Sequence, residues 1–356
     1  MNTRVENLRR GLVKRKLDAM LVSYPANRRY LSGFTGSAGF LIITQKQAVL
    51  AVDFRYTEQA GWQSPDFEVY QIYGGYAKWL PELVERLNVG RIGYEADDLA
   101  VSSYREIVKA IKSIPESLRP SMVSTQGMVE SLRAVKDNVE ITKIEKAADL
   151  ADRTIAYARD ILKPAITEKH LAWELEKFLK ENRSESMPFD IIVASGPNAA
   201  LPHAQPGERV IDQGDTVVID LGARLEGYTS DMTRTICCGG TDETFQKVYR
   251  IVMQAQVAAI NSIKPGMSGS EADSLARKVI EEAGYGNAFG HGLGHGVGLE
   301  THEAPSLSPS SGDLLREGMV FTVEPGIYVS GWGGVRIEDM ILLEGGSARL
   351  LTNAPK

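Results

Sequence analysis

The sequence predicts an α+β protein in two parts: an N-terminal α/β domain over residues 1–125 and an α+β domain over 126–356 made of two related halves. Three observations carry this. The chain's 356 residues suffice for two domains, and its hydrophobic and charged fractions, 43% and 24%, are those of globular proteins. Helical and extended patterns alternate over the first third and stop at Pro115 and Pro120. Beyond them, two ordered sequence matches recur at an offset of about 100 residues, as expected of an internal duplication.

Residues 3–17 carry a helical pattern, and DAMLVSY (18–24) is a short apolar strand. YLSGFTGSAGFLIIT (30–44) runs from a turn into a strand, with QAVLAVD (47–53) as its hairpin partner. RIGYEA (91–96) is a further strand, a helix covers roughly 101–112, and residues 113–125 are expected to be a linker. The charged stretch VESLRAVKDNVEITKIEKAADLADRTIAYARDIL is expected to form two helices, or one with a kink. The duplication then shows. LKPAIT (162–167) and IKPGMS (263–268) each lead into a helix. GDTVVIDLG (214–222) and GMVFTVEPG (318–326) each open on Gly, run through a β-branched strand and reach an acid, Asp220 or Glu324.

Bulk properties narrow the partners. A net charge of −6 disfavours nucleic acid or an anionic membrane as principal partner. The first residues lack the apolar core of a signal peptide, and no apolar run reaches the length of a membrane span. The two cysteines, Cys237 and Cys238, are adjacent and poorly placed for a disulfide, which fits a reduced, cytoplasmic chain.

Three of the five histidines (His291, His295 and His302) fall within FGHGLGHGVGLETHEAP (289–305). A helical zinc site fails here. Glycine occupies every second position from 290 to 298, and each costs a helix about 1 kcal/mol relative to alanine. The period of two belongs to an extended segment with His291 and His295 on one face and bare backbone on the other. His302 has the opposite parity, so it joins that face only across a bend or bulge. The competing reading is a loop with incidental histidines.

Four acids lie in or next to apolar strands: Asp220 in VVID, Asp231 in YTSDMTRTI, Glu324 in VFTVE and Glu338 in VRIED. Buried carboxylates are costly unless something cationic compensates them. One is explained by a salt bridge; four beside an imidazole ask for a pair of divalent cations. A carboxylate-dominated donor set suits Mn²⁺ and similar hard ions. Paired ions lower the pKa of a shared water, so metal-assisted hydrolysis is the reaction class these residues fit.

DLGARLEGYTSDMTRT, HGLGHGVGLETHE, TVEPGIY and GVRIED resemble the metal-site segments of the proline-specific metallopeptidases of the pita-bread fold, the Xaa-Pro aminopeptidases and Xaa-Pro dipeptidases. YLSGFTGS and DFRYTEQA are similar to that family's creatinase-like N-terminal domain, so the likeness runs nearly end to end. It implies a C-terminal pita-bread domain with an internal pseudo-twofold. It also implies two divalent ions, most readily Mn²⁺, with Co²⁺ or Zn²⁺ as the other candidates. Asp220 and Asp231 would hold one ion, Asp231 and His295 the second, with Glu324 and Glu338 completing the pair and Glu338 bridging. Glu324 would shuttle the proton. His291 and His203 would flank the proline, His302 would hydrogen-bond the substrate or oxyanion, and Arg336 would position Asp231 or the substrate. An exposed loop imidazole is the other reading of His203, and a structural ion pair that of Arg336. His170, in ITEKHLAWELEKFL, is expected to be a surface or packing residue.

The resemblance further implies a peptide substrate with proline in second position and a homodimer. The leading expectation is an Xaa-Pro aminopeptidase, the alternative an Xaa-Pro dipeptidase. A methionine aminopeptidase is disfavoured by the N-terminal domain, and a creatinase-type hydrolase by the retained acids. A non-catalytic pita-bread binding module is the reading from another class, and the intact ligand set speaks against it.

Overall fold

Asn2 caps the first helix, α1 (Thr3–Arg15), its side-chain oxygen accepting from the amides of Arg4 and Val5. Val5, Leu8 and Leu12 form the buried stripe of that helix. In the computed structural model, which describes residues 2–356, the chain divides into two units, one ending at Arg133 and one spanning Ala134–Lys356.

The first unit is a mixed sheet of six strands: β1 (Ala19–Val22), β2 (Phe40–Thr44), β3 (Ala48–Val52), β4 (Glu68–Gln71), β5 (Arg91–Glu95) and β6 (Ser121–Thr125), in the order β4-β3-β2-β1-β5-β6. The β2–β3 hairpin is antiparallel with Phe40 opposite Ala51, while β5 lies parallel to both β1 and β6. Helices α2 (Pro25–Ser32), α3 (Thr57–Gln63), α4 (Tyr76–Leu87), α5 (Val101–Ile111) and α6 (Glu130–Arg133) complete it. Trp79, Leu80 and Leu83 of α4 and Ile107 and Ile111 of α5 bury their apolar faces in the sheet's core. The turn expected ahead of β2 is present over 33–39, and before it Pro25 opens a helix that Gly33, at φ 77°, closes. One expectation is corrected. The 113–125 segment is no simple linker, because Ser121–Thr125 is drawn into the sheet edge by β5.

In the second unit, Asp137 and Glu140 form a capping box that starts α7 (Asn138–Ile161), separate from α6. Then follow α8 (Glu168–Glu181), β7 (Ile192–Ser195), β8 (Thr216–Leu221), the short pair β9 (Arg224–Leu225) and β10 (Tyr228–Thr229), and β11 (Met232–Cys237). The sheet order is β11-β8-β7, antiparallel throughout. The second half repeats the plan with α9 (Glu243–Ser262), α10 (Gly269–Glu282), β12 (Gly294–Gly296), β13 (Glu303–Leu307), β14 (Val320–Val323), β15 (Gly326–Val329), β16 (Gly333–Arg336), β17 (Asp339–Glu344) and β18 (Ser347–Leu350). Its main sheet runs β13-β12-β14-β17-β18, with β15 and β16 paired separately.

The duplication is visible in backbone detail. Ala165 and Gly266, three residues into LKPAIT and IKPGMS, both have positive φ, 74° and 90°. The amide of Ala165 donates to Ile211 O at 3.0 Å and that of Gly266 to Leu315 O at 2.8 Å. Thr167 and Ser268 then cap the following helices. Glycine meets the left-handed conformation without cost and alanine does not, so the first copy carries strain the second lacks. Among the described residues, no helix is long and apolar enough to cross a membrane.

Candidate functional site

The β8–β11 hairpin supplies the first two acids. Asp220 lies opposite Thr233 in the ladder, and Asp231 directly precedes β11. In the second half, Val323 of β14 faces Asp339 of β17, so Glu324 and Glu338 sit side by side at breaks where two strand pairs meet. His295 comes from β12, wedged between β13 and β14.

The alternating glycines explain that wedge. A Cβ on Gly294 would stand 2.0 Å from Thr322 O, and one on Gly296 2.1 Å from Ala304 O. Bare backbone is what lets the neighbouring strands close on the His295 segment. The bend expected before His302 is present over 298–302. The ladder beyond it is bulged as well: Ser306 pairs with His295, but Gly296 meets Glu303. The ring of His302 thereby comes to 4.2 Å from that of His295.

His295 Nε2 lies 3.4 Å from Glu324 Oε1 and 3.6 Å from Asp231 Oδ2. Ligand atoms of Asp231, His295 and Glu338 all fall within 4.8 Å of one another. Thr233 Oγ1 donates to Glu338 Oε2 at 2.6 Å, and Thr322 Oγ1 to Glu324 Oε1 at 3.2 Å. Arg336 pairs with Asp220, not Asp231, through Nη2 at 2.7 Å; its other donors reach Thr233 Oγ1, Pro202 O and the hydroxyl of Tyr328.

Burial, reinforced by the neighbouring carboxylates, raises Asp231 and Glu338 well above the usual carboxylate range. Burial also pushes Glu324 up to about 7, against the opposing pull of Arg336. The imidazoles shift the other way. Burial lowers His295 and takes His291 to about 4, and partial desolvation lowers the more exposed His302, so all three are neutral, the state in which one ring nitrogen ligates metal or accepts a hydrogen bond and the other can donate.

The donor set fits divalent cations. Four carboxylates crowd one arginine, and Asp220 Oδ1 is buried with no hydrogen-bond partner. An orphaned anionic oxygen facing further acids is what a cation would satisfy, and oxygen-rich sets with one imidazole favour hard divalent ions.

All nine side chains singled out from the sequence line one cavity of about 460 Å³, His203 and His302 from exposed positions. His170 stands apart on the exposed side of α8. Sequence reasoning missed Tyr328, whose hydroxyl lies 2.9 Å from both His291 Nε2 and Arg336 Nη1. Its signal was its place in TVEPGIY, four residues after Glu324.

A duplicated α+β unit that gathers buried acids and a neutral imidazole at the mouth of a cavity defines a metal-dependent hydrolase of the pita-bread type. The pattern described as metallopeptidase family M24 matches residues 142–344, and that of the creatinase/prolidase N-terminal domain matches 4–135. The chain belongs to the M24 metallopeptidase family. It is 37% identical over 358 residues to an Xaa-Pro dipeptidase of Pyrococcus horikoshii, covering 100% of this chain and 98% of that protein. The structure of an Xaa-Pro dipeptidase from Bacillus anthracis superposes with a TM-score of 0.95 at 41% identity, over 99% of this chain and 98% of that one. An X-Pro aminopeptidase from Thermotoga maritima gives 0.90 at 37% identity, over 99% and 98%.

Proposed function

We propose that this protein is an Xaa-Pro aminopeptidase, removing the first residue of peptides whose second residue is proline. The observation that carries the reading is the convergence of Asp231, His295 and Glu338 within 4.8 Å, in a cavity also lined by His203, His291 and His302. Asp220, Asp231, His295, Glu324 and Glu338 would hold two divalent ions, Mn²⁺ foremost given the oxygen-rich donor set. Bound there, the ions would supply Lewis acidity towards the scissile carbonyl and make an attacking water more acidic.

The chain's own residues do the rest. Glu324, with a carboxyl that titrates near neutrality when no metal is bound, takes a proton from the water and returns it to the leaving nitrogen. His302 donates to the developing oxyanion. His203 and His291 flank the proline ring, which lacks an amide hydrogen and so is recognised by shape. Tyr328 fixes the His291 ring, and Arg336 fixes Asp220.

The cavity volume of about 460 Å³ suits a small ligand and fits a dipeptide and a tripeptide alike. One observation favours the aminopeptidase form. The guanidinium of Arg336 is already committed to Asp220, Thr233, Pro202 and Tyr328, so it does not serve as a clamp for a substrate's C-terminal carboxylate. The dipeptidase is the second reading, favoured by the names of the Pyrococcus horikoshii and Bacillus anthracis relatives. Free thiols at Cys237 and Cys238 support a cytoplasmic setting. The homodimer rests on the family resemblance alone.

Rates on Ala-Pro and Ala-Pro-Ala with Mn²⁺, before and after chelation, test this. The aminopeptidase cuts the tripeptide at least as well as the dipeptide and loses both activities on chelation. Cleavage of Ala-Pro alone establishes the dipeptidase. No cleavage of either peptide rejects both readings in favour of a binding module.

A further inference from the structure

Gln256 lies in the middle of α9, fully buried among Val252, Ala255 and Ala259. A primary amide in such a core is costly unless its hydrogen bonds are made. Here they are made, and their targets are specific. Gln256 Nε2 donates to Val323 O at 3.3 Å, to Ile337 O at 3.1 Å and to Asp339 Oδ2 at 3.1 Å. Its Oε1 accepts from Lys356 Nζ at 2.6 Å. Val323 and Ile337 are the residues immediately before Glu324 and Glu338, so one amide group touches the two peptide units that carry both glutamates.

Those peptide units are each held on their N–H side, Glu324 N donating to Leu293 O at 2.8 Å and Glu338 N to Thr233 O at 3.1 Å, and Gln256 is the group that links their two carbonyls. Glu324 lies in the break between β14 and β15, and Glu338 in the break between β16 and β17, where the strand ladders stop. The far side of the Glu338 peptide is held as well. Buried Arg234 donates through Nη1 to Glu338 O and through Nη2 to Asp339 Oδ1, at 2.5 and 2.6 Å. Lys356 Nζ, 2.5 Å from Asp339 Oδ2, completes the brace.

We propose that Gln256 is a positioning residue of the metal centre: its carboxamide sets the spacing of Glu324 and Glu338 by holding the carbonyls of Val323 and Ile337. The proposal rests on the metal-binding part of the reading above and is independent of peptide specificity. Groups that orient metal ligands from behind typically change metal affinity by about 10–100-fold when removed.

The test is calorimetric titration of the chelated full-length protein with Mn²⁺, comparing wild type, Gln256→Met and Val252→Ala. Methionine keeps the volume and removes the amide; Val252→Ala loosens the same buried helix face without touching either carbonyl. Gln256→Met is expected to weaken Mn²⁺ binding about tenfold or more, with Val252→Ala unchanged. Wild-type affinity in Gln256→Met, or an equal loss in Val252→Ala, overturns the proposal. Should Gln256→Met fail to fold, Lys356→Ala carries the test, since it removes the donor that orients the amide from a partly exposed position. A loss of about tenfold is expected there too, and unchanged affinity overturns the proposal. Failure of the wild type to cleave Xaa-Pro peptides would leave this titration intact, whereas failure to bind Mn²⁺ would sink both.

Discussion

Arg336 Nη2 lies 2.7 Å from Asp220 Oδ2, while the other oxygen of that carboxylate is buried without a hydrogen-bond partner. One guanidinium thus hydrogen-bonds a single oxygen in a group of four acids and acts on Asp231, Glu324 and Glu338 only through space. Arg336→Met should therefore destabilise the metal-free protein by about 3–5 kcal/mol, the usual result of removing one partner from a buried pair. Saturating Mn²⁺ should restore part of that loss by replacing the missing charge. Urea unfolding with and without the ion measures both.

The stability of the chelated protein should depend on pH through Glu324. Burial holds its carboxyl at about 7 in the fold, against 4.5 for the unperturbed group. Between those values the folded chain keeps the proton and the unfolded chain loses it. The contribution is therefore full below about 4.5 and lost as pH rises through about 7, an effect of about 3 kcal/mol. His291 acts with the opposite sign, because its value of about 4 lies below the ordinary 6.5; its contribution is full above 6.5 and lost as pH falls through about 4. Subtracting the unfolding profile of Glu324→Gln from that of the wild type isolates the glutamate, and the difference should fall across pH 4.5–7.

Glu324→Gln should also separate folding from turnover. The amide keeps the shape and the Thr322 contact but cannot shuttle a proton. Turnover should drop by about 10²–10⁴-fold, with the circular dichroism spectrum unchanged.

Gly294→Ala should cost about 1–3 kcal/mol, because its Cβ would meet Thr322 O at 2.0 Å and push His295 from its place. Gly290→Ala is the control: nothing lies within 4 Å of that Cβ, so its melting temperature should match the wild type.

The parts legible in the sequence were those with local or periodic signals. Alternating glycines marked the His295 strand as a place of close approach, and acids in apolar strands marked Asp220 and Glu324. The repeated Lys-Pro turns exposed the duplication, seen again in the positive φ of Ala165 and Gly266. What escaped depended on distant partners. Ser121–Thr125 is short and half exposed, and only its pairing with β5 makes it a strand. Pro25 and Gly33 did bracket α2, but eight residues are a weak pattern beside the glycine-rich stretch that follows. Tyr328, Thr233 and Gln256 are ordinary residues in ordinary contexts, and only tertiary packing aims them at the acids.

Metal content after loading is the most direct measurement of the central claim, that these buried acids are tolerated because inorganic cations neutralise them. Chelated protein dialysed against Mn²⁺ and then metal-free buffer should retain two ions per chain by elemental analysis, and the Asp231→Asn/Glu338→Gln variant should retain fewer. A wild-type chain that emerges empty, or a double variant that holds as many ions, would contradict it.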